Sequence, residues 1–172
     1  VWVLPQKELK ATAWLIALAF ILSIGGDWML KFKDTIPIRF VYGIGLYLLA
    51  HVSYLVFFLK HGKINILSLV ILLAGYGIFF VVSLVPALSD TLLLIAVLLY
   101  LIVSCVTLAA VIGLNITSKL SKWFFVAGIA CLVFSDTLIA LKEFLGNDTI
   151  YFLMMPTFYL SHIFATAAIM RK

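Results

Sequence analysis

The chain has 172 residues, of which 66% are hydrophobic and 11% charged, and its mean hydropathy is +1.26. A water-soluble domain of this length cannot cover that much apolar side chain, and the apolar runs are too long and too numerous for a secretory signal ahead of a soluble body. The net charge of +5 comes mainly from short loops, where it suits an anionic lipid leaflet and implies no nucleic-acid partner.

Charged and turn-forming clusters divide the chain into six predicted spans: A, about 10–31; B, about 38–59; C, about 64–84; D, about 91–113; E, about 120–141; and F, about 149–170. Each has roughly 20 residues, enough at about 1.5 Å per residue to cross a hydrocarbon core about 30 Å thick. The apolar runs are rich in Val and Ile but do not alternate with polar residues, which argues for helices over barrel strands. The short breaks predict an all-α, polytopic transmembrane helical bundle forming one domain over residues 1–172. The opening 'VWVLPQKELK' has no initiator Met and reads as the start of an incomplete copy whose earlier helices are missing.

Lys and Arg set the expected orientation. The N-terminus, loops B/C and D/E and the C-terminus form side X, with eight basic residues; side Y, with loops A/B, C/D and E/F, has four. The positive-inside rule therefore predicts a multi-pass integral membrane protein with side X and both termini in the cytoplasm, in the inner membrane if the source is bacterial. Trp2, Trp14, Trp28 and Trp123 fall near span ends, as interfacial anchors do. Cys105 and Cys131 lack CxxC spacing and read as packing residues. The triplets beginning at Asn115 and Asn147 read as chance turn sequence.

Polar groups inside a span are expensive unless they face protein or a water-filled cavity. Span A has Ser23 and Asp27, four residues apart and on one face. Span B has Gly43, Tyr47, His51 and Tyr54 in one stripe, span D has Tyr100, Ser104 and Thr107, and span F has Tyr159, His162 and Thr166. Span E has Ser135 and Asp136 near its side Y end. Tyr76 in span C, between Gly75 and Gly77, reads as close helix packing. The stripes are expected to face a common interior. Asp27 precedes His51 by about the separation of Asp136 from His162, a faint echo of a parallel repeat. Helical rise puts His51 roughly 10 Å deeper than the aspartates.

Each residue also has a structural reading. Asp27 and Asp136 could be interfacial residues paired with Lys31 and Lys142, Lys31 lying at i+4 from Asp27. His51 could be a neutral core histidine bonded to a neighbouring helix, and Tyr100 and Tyr159 packing residues. The catalytic alternative rests on two carboxylates beside a histidine in low dielectric, where one group keeps a proton to donate and the other positions water. Metal ligation by Asp27, His51, Asp136 and His162 matches no familiar spacing, and there is no phosphate loop, GxSxG elbow or HExxH. No cofactor or metal is therefore expected.

The phrases 'GDWML', 'GIGLYLLAHVSYLVFF', the span D tyrosine, 'FSDTLIALKEF' and 'FYLSHIFAT' together resemble the lysoplasmalogenase-like YhhN membrane proteins. That family typically has about eight spans, which fits a copy lacking two N-terminal helices. The resemblance implies hydrolysis of the vinyl ether bond of a lysophospholipid, the lysoplasmalogen, to a fatty aldehyde and glycerophosphoethanolamine or glycerophosphocholine. Asp27 and Asp136 are then expected to act as acid and charge stabiliser, with His51 and Tyr54 holding water or the hemiacetal oxygen. Tyr47, Tyr100, Ser135, Tyr159 and His162 would contact the substrate. At His162 many members of that family carry Gln, so the resemblance implies no acid–base role there. The competing functions are a proton-coupled transporter or lipid-binding membrane protein, which releases no aldehyde, and a metal-dependent lipid hydrolase, which a chelator silences.

Overall fold

The computed structural model describes residues 6–33, 35–36 and 38–170, with side chains from Leu9 onward. Val1–Pro5, including Trp2, lie outside the described residues. Seven helices follow in chain order: α1 Gln6–Ala11, α2 Trp14–Lys31, α3 Ile38–His61, α4 Ile66–Ala87, α5 Thr91–Ile112, α6 Lys119–Leu145 and α7 Tyr151–Met170. Helices α2 to α7 are the six predicted spans A to F, each long and apolar enough to cross a membrane. The described chain is all-helical, and the protein is a polytopic transmembrane bundle.

Local chemistry sets the ends. Asn65 caps α4 by accepting from the Ser68 amide at 2.9 Å, Asp90 caps α5 by accepting from Leu92 at 2.8 Å, and Ser118 caps α6 by accepting from Ser121 at 3.2 Å. Each satisfies an amide that the first helical turn leaves without a partner. Helix α6 stops at Gly146, whose φ of +63° places it in the left-handed region. There Gly146 and Asn147 donate back to the Lys142 and Leu141 carbonyls, a glycine-terminated cap. The α6 end corrects span E: the predicted break fell at Lys142, but Lys142, Glu143 and Phe144 continue the helix. In α4 the turn Phe80–Leu84 widens to π-helix immediately before Pro86, which cannot donate to residue i−4 and crowds that carbonyl.

The main packing pairs are α2 on α3, α3 on α5, α5 on both α4 and α6, and α6 on α7. Burial ranks them: 39% of the most apolar window of α3 and of α6 is inside the bundle, against 6% for α4. Helices α3 and α6 are therefore central and α4 is peripheral. The side X half of the core is closed by Phe57, Phe58 and Phe125, all 0% exposed, with ring centroids 5.4–5.6 Å apart. On the same side the α3/α4 and α5/α6 loops clasp each other, with Asn115 donating to the His61 carbonyl and Lys63 to that of Gly113. Ile21, Ile24, Ile71, Ile78 and Val82 are among many large apolar residues left exposed on the outer surface, the arrangement of a bundle solvated by lipid.

Candidate functional site

The polar residues converge in the side Y half. On α3, Tyr47, His51 and Tyr54 are all buried on the face that carries Gly43. Tyr47 comes close to α2 because Gly26 lies under its ring: a Cβ there would sit 2.9 Å from Tyr47 Cε2. The Tyr47 hydroxyl donates to Asp27 Oδ1. One turn deeper, His51 is 1% exposed, and its Nε2 shares a hydrogen with Asp136 Oδ2 across 2.9 Å. The Tyr100 ring stands edge-on to His51 at 5.1 Å. Its buried hydroxyl lies within reach of Asp136, and His51 Nδ1 has no hydrogen-bond partner among the described residues.

Two cavities meet at Asp136 and Tyr100. One, an open cleft with about 470 Å³ of empty space counting its open side, runs toward side Y along Tyr47, Ile44 and Phe40 of α3 and Ile139 and Phe144 of α6. The other, likewise open and with about 410 Å³ of empty space, lies between α4, α5 and α6 and is lined by Tyr76, Phe79, Leu84, Leu101 and Cys105. Both are almost wholly apolar, so the Asp136–His51 pair and the Tyr100 hydroxyl are the polar chemistry where they join. Thr137 closes the α4 side, with Tyr76 Oη 3.0 Å from its Oγ1.

Several expectations are corrected here. His51 is set further into its helix than Asp136, but a separation of 10 Å does not hold, because the two side chains touch. Because α6 runs on to Leu145, Asp136 lies about 13 Å from its end by helical rise rather than beside the interface. Neither aspartate pairs with its neighbouring lysine in the described structure: Lys142 lies over the Tyr151 ring at 3.7 Å and Lys31 over Trp28 at 5.9 Å. The two carboxylates do not face a single chamber. Asp27 is at the exposed edge of α2 and lines neither cavity, and Tyr47, within electrostatic reach of both, stands between them.

The α7 stripe is out of phase with the interior. Tyr159 is 60% exposed and Thr166 is exposed, because α7 packs on α6 through Phe158, Ser161, Ala165 and Ala168. That row is one residue earlier, roughly 100° around the helix. Gly128 of α6 admits it, with the Ser161 carbonyl 3.0 Å from where a Cβ would stand. His162 is half-buried between the Phe20 and Phe158 rings and lies within electrostatic reach of Asp27. Ser135 is 0% exposed and donates to the Met154 carbonyl at 3.1 Å, joining α6 to α7 rather than facing a cavity. Tyr54 stacks on Phe58 and also lines neither cavity. The contacts run between the two hairpins: His51 of the first meets Asp136 of the second, and His162 of the second lies within electrostatic reach of Asp27 of the first. No group of three or more metal-ligating side chains occurs among the described residues.

A family profile described as the YhhN family matches residues 1–169, nearly the whole chain. The chain belongs to the YhhN family. No curated protein and no solved structure matches it. The stretches 'GDWML', 'GIGLYLLAHVSYLVFF' and 'FSDTLIALKEF', which carry the resemblance in the sequence, hold the residues of the Asp27–Tyr47 and His51–Asp136 contacts, both of which cross between helices.

The residues that sequence reasoning missed are at the side Y mouth of the first cavity. Lys33 and Glu143 form an ion pair, Lys33 lies over the Phe40 ring at 5.8 Å, and Phe40 meets Phe144 edge-to-face at 5.8 Å. Glu143 one residue before an inward-facing Phe144 was the available signal, hidden by treating 'KEFLGND' as loop.

Proposed function

We propose that this YhhN protein hydrolyses the vinyl ether bond of a lysophospholipid within the bilayer. The observation that carries this reading is the Asp136–His51 pair, buried where two apolar cavities meet and able to hold one transferable proton. A vinyl ether is cleaved by protonation of its outer alkene carbon. The pair gives its proton to that carbon, and the positive charge that develops on the ether carbon and oxygen is stabilised by the carboxylate left behind. Water adds to the cationic carbon and returns a proton to the pair, so no net proton is consumed. The hemiacetal then splits into a fatty aldehyde and a glycerophospho-alcohol. Tyr100, whose hydroxyl lies beside Asp136, is placed to orient the water or the leaving oxygen, and the second cavity suits the alkenyl chain. Tyr47, anchored by Asp27, forms the wall of the first cavity.

The aromatic closure at Phe57, Phe58 and Phe125 weighs against a transport passage, because a route past His51 toward side X meets three fully buried rings. The test is aldehyde release from a vinyl ether lysolipid by purified protein in lipid nanodiscs, with and without chelator. Turnover that survives the chelator and is lost in Asp136→Asn supports the reading. Well-folded protein that releases no aldehyde would reject it and favour a binding or transport role.

A further inference from the structure

The ion pair at the mouth of the first cavity is unlike the other charges near side Y. Lys31, Lys33 and Lys142 all rest on aromatic rings, but Lys33 also reaches across from the α2/α3 connection to Glu143 on α6. Both side chains are largely covered, at 24% and 17% exposure, and Lys33 lies over Phe40, which with Phe144 lines the side Y end of the cavity wall. From Asp136 to Phe144 the slot follows eight residues of α6, about 12 Å, comparable to the reach of a glycerol backbone with its phosphoester. One positive and one negative group, close together beside two aromatic faces, are the complement of a zwitterion.

From this juxtaposition we infer that Lys33 and Glu143 form a headgroup subsite for a single-chain phospholipid carrying both a phosphate and an ammonium. The inference rests on the vinyl ether reading for its choice of a glycerophospholipid. The phosphate takes Lys33 and the ammonium takes Glu143, so the occupant replaces the internal ion pair with two of the same kind and leaves neither side chain unpaired. Phe40 already holds a cation at its face, and with Phe144 it gives a substituted ammonium a cation–π surface. An anionic headgroup without an amine satisfies Lys33 but strands Glu143, which builds discrimination into the pair.

The test measures binding, independently of turnover, on the whole chain in nanodiscs. The probes are 1-alkyl lysolipids, saturated at the ether, with phosphoethanolamine, phosphocholine or bare phosphate as headgroup. The wild-type chain is expected to prefer the two zwitterionic probes by about tenfold. Glu143→Gln removes that preference and tightens bare phosphate, because Lys33 is released. Lys33→Gln weakens all three. The charge swap Lys33→Glu with Glu143→Lys keeps an ion pair and the fold while turning both charges around, and it binds the zwitterions about tenfold more weakly. An unchanged headgroup preference in Glu143→Gln, or in the swap if the single variant does not fold, overturns the inference. Aldehyde release from the vinyl ether analogue is measured beside it. Selective binding without aldehyde sinks the proposed reaction and leaves the subsite standing, whereas aldehyde release with unchanged selectivity in Glu143→Gln sinks the subsite alone.

Discussion

At the scale of single residues, the two aspartates divide in role although the chain introduces them with similar phrases. Asp136 is held by His51 at the junction of the cavities; Asp27 is held by Tyr47 at the edge of the bundle. Replacing Asp136 with Asn keeps the size and removes the proton that the proposed reaction transfers. Its kcat for aldehyde release should fall about 10²- to 10⁴-fold, the usual contribution of a positioned acid or base, with the melting temperature little changed. Asp27→Asn should act mainly through Tyr47, so Tyr47→Phe should reproduce most of its effect and the double variant should be no worse than either single one. Losses in kcat that multiply would show that Asp27 acts independently of Tyr47. Tyr159→Ala should leave turnover within about twofold, since the side chain faces outward and a surface change of this kind costs little. A large loss there would mean that α7 turns its other face inward when substrate is bound.

At the scale of helices, glycines decide which faces meet. Gly26 lies beneath the Tyr47 ring, whereas Gly45 has nothing within 4 Å of its would-be Cβ. Gly26→Ala should therefore displace Tyr47, costing about 1–3 kcal/mol as overpacking does and lowering kcat. Gly45→Ala should be neutral or slightly stabilising by helix propensity. Thermal denaturation and aldehyde release on the two variants read both effects, and equal behaviour would remove the packing account of Tyr47. The same pair of glycines shows what the sequence made legible. Hydropathy located all six spans to within a few residues, because a lipid-facing helix must stay apolar for its whole crossing. The α3 stripe was also legible, since Tyr47, His51 and Tyr54 are polar enough to be forced inward. The α7 face was not: polar Tyr159 and Thr166 suggested one direction, while the small Ala165 and Ala168 that admit α6 set another. Polarity marks what must avoid lipid, but close packing is set by residue size, and α7 obeys size. The end of α6 was hidden for a related reason, since Lys142 and Glu143 can remain helical while their charged ends find an aromatic ring and a partner lysine.

At the scale of the whole molecule, the two ends of the bundle are built for different purposes, and this makes orientation a functional question. Side X is sealed by Phe57, Phe58 and Phe125 and by the clasp of the α3/α4 and α5/α6 loops. Side Y has the cavity mouth, Lys33 and Glu143. If the excess of Lys and Arg on side X holds it in the cytoplasm, the mouth opens toward the opposite leaflet, and the lysolipid proposed as substrate would present its headgroup there. Cysteine labelling in intact cells checks this directly. With Cys105 and Cys131 replaced by Ala, a single cysteine at Asn147 should react with a membrane-impermeant maleimide from outside, and one at Lys63 should react only after the membrane is opened. Both positions are exposed in loops, so a lack of reaction reflects sidedness rather than burial. The reverse pattern would place the mouth, and the Asp136–His51 pair behind it, on the cytoplasmic leaflet. The site chemistry would be unchanged, but its substrate would then be drawn from lysolipids released inside the cell.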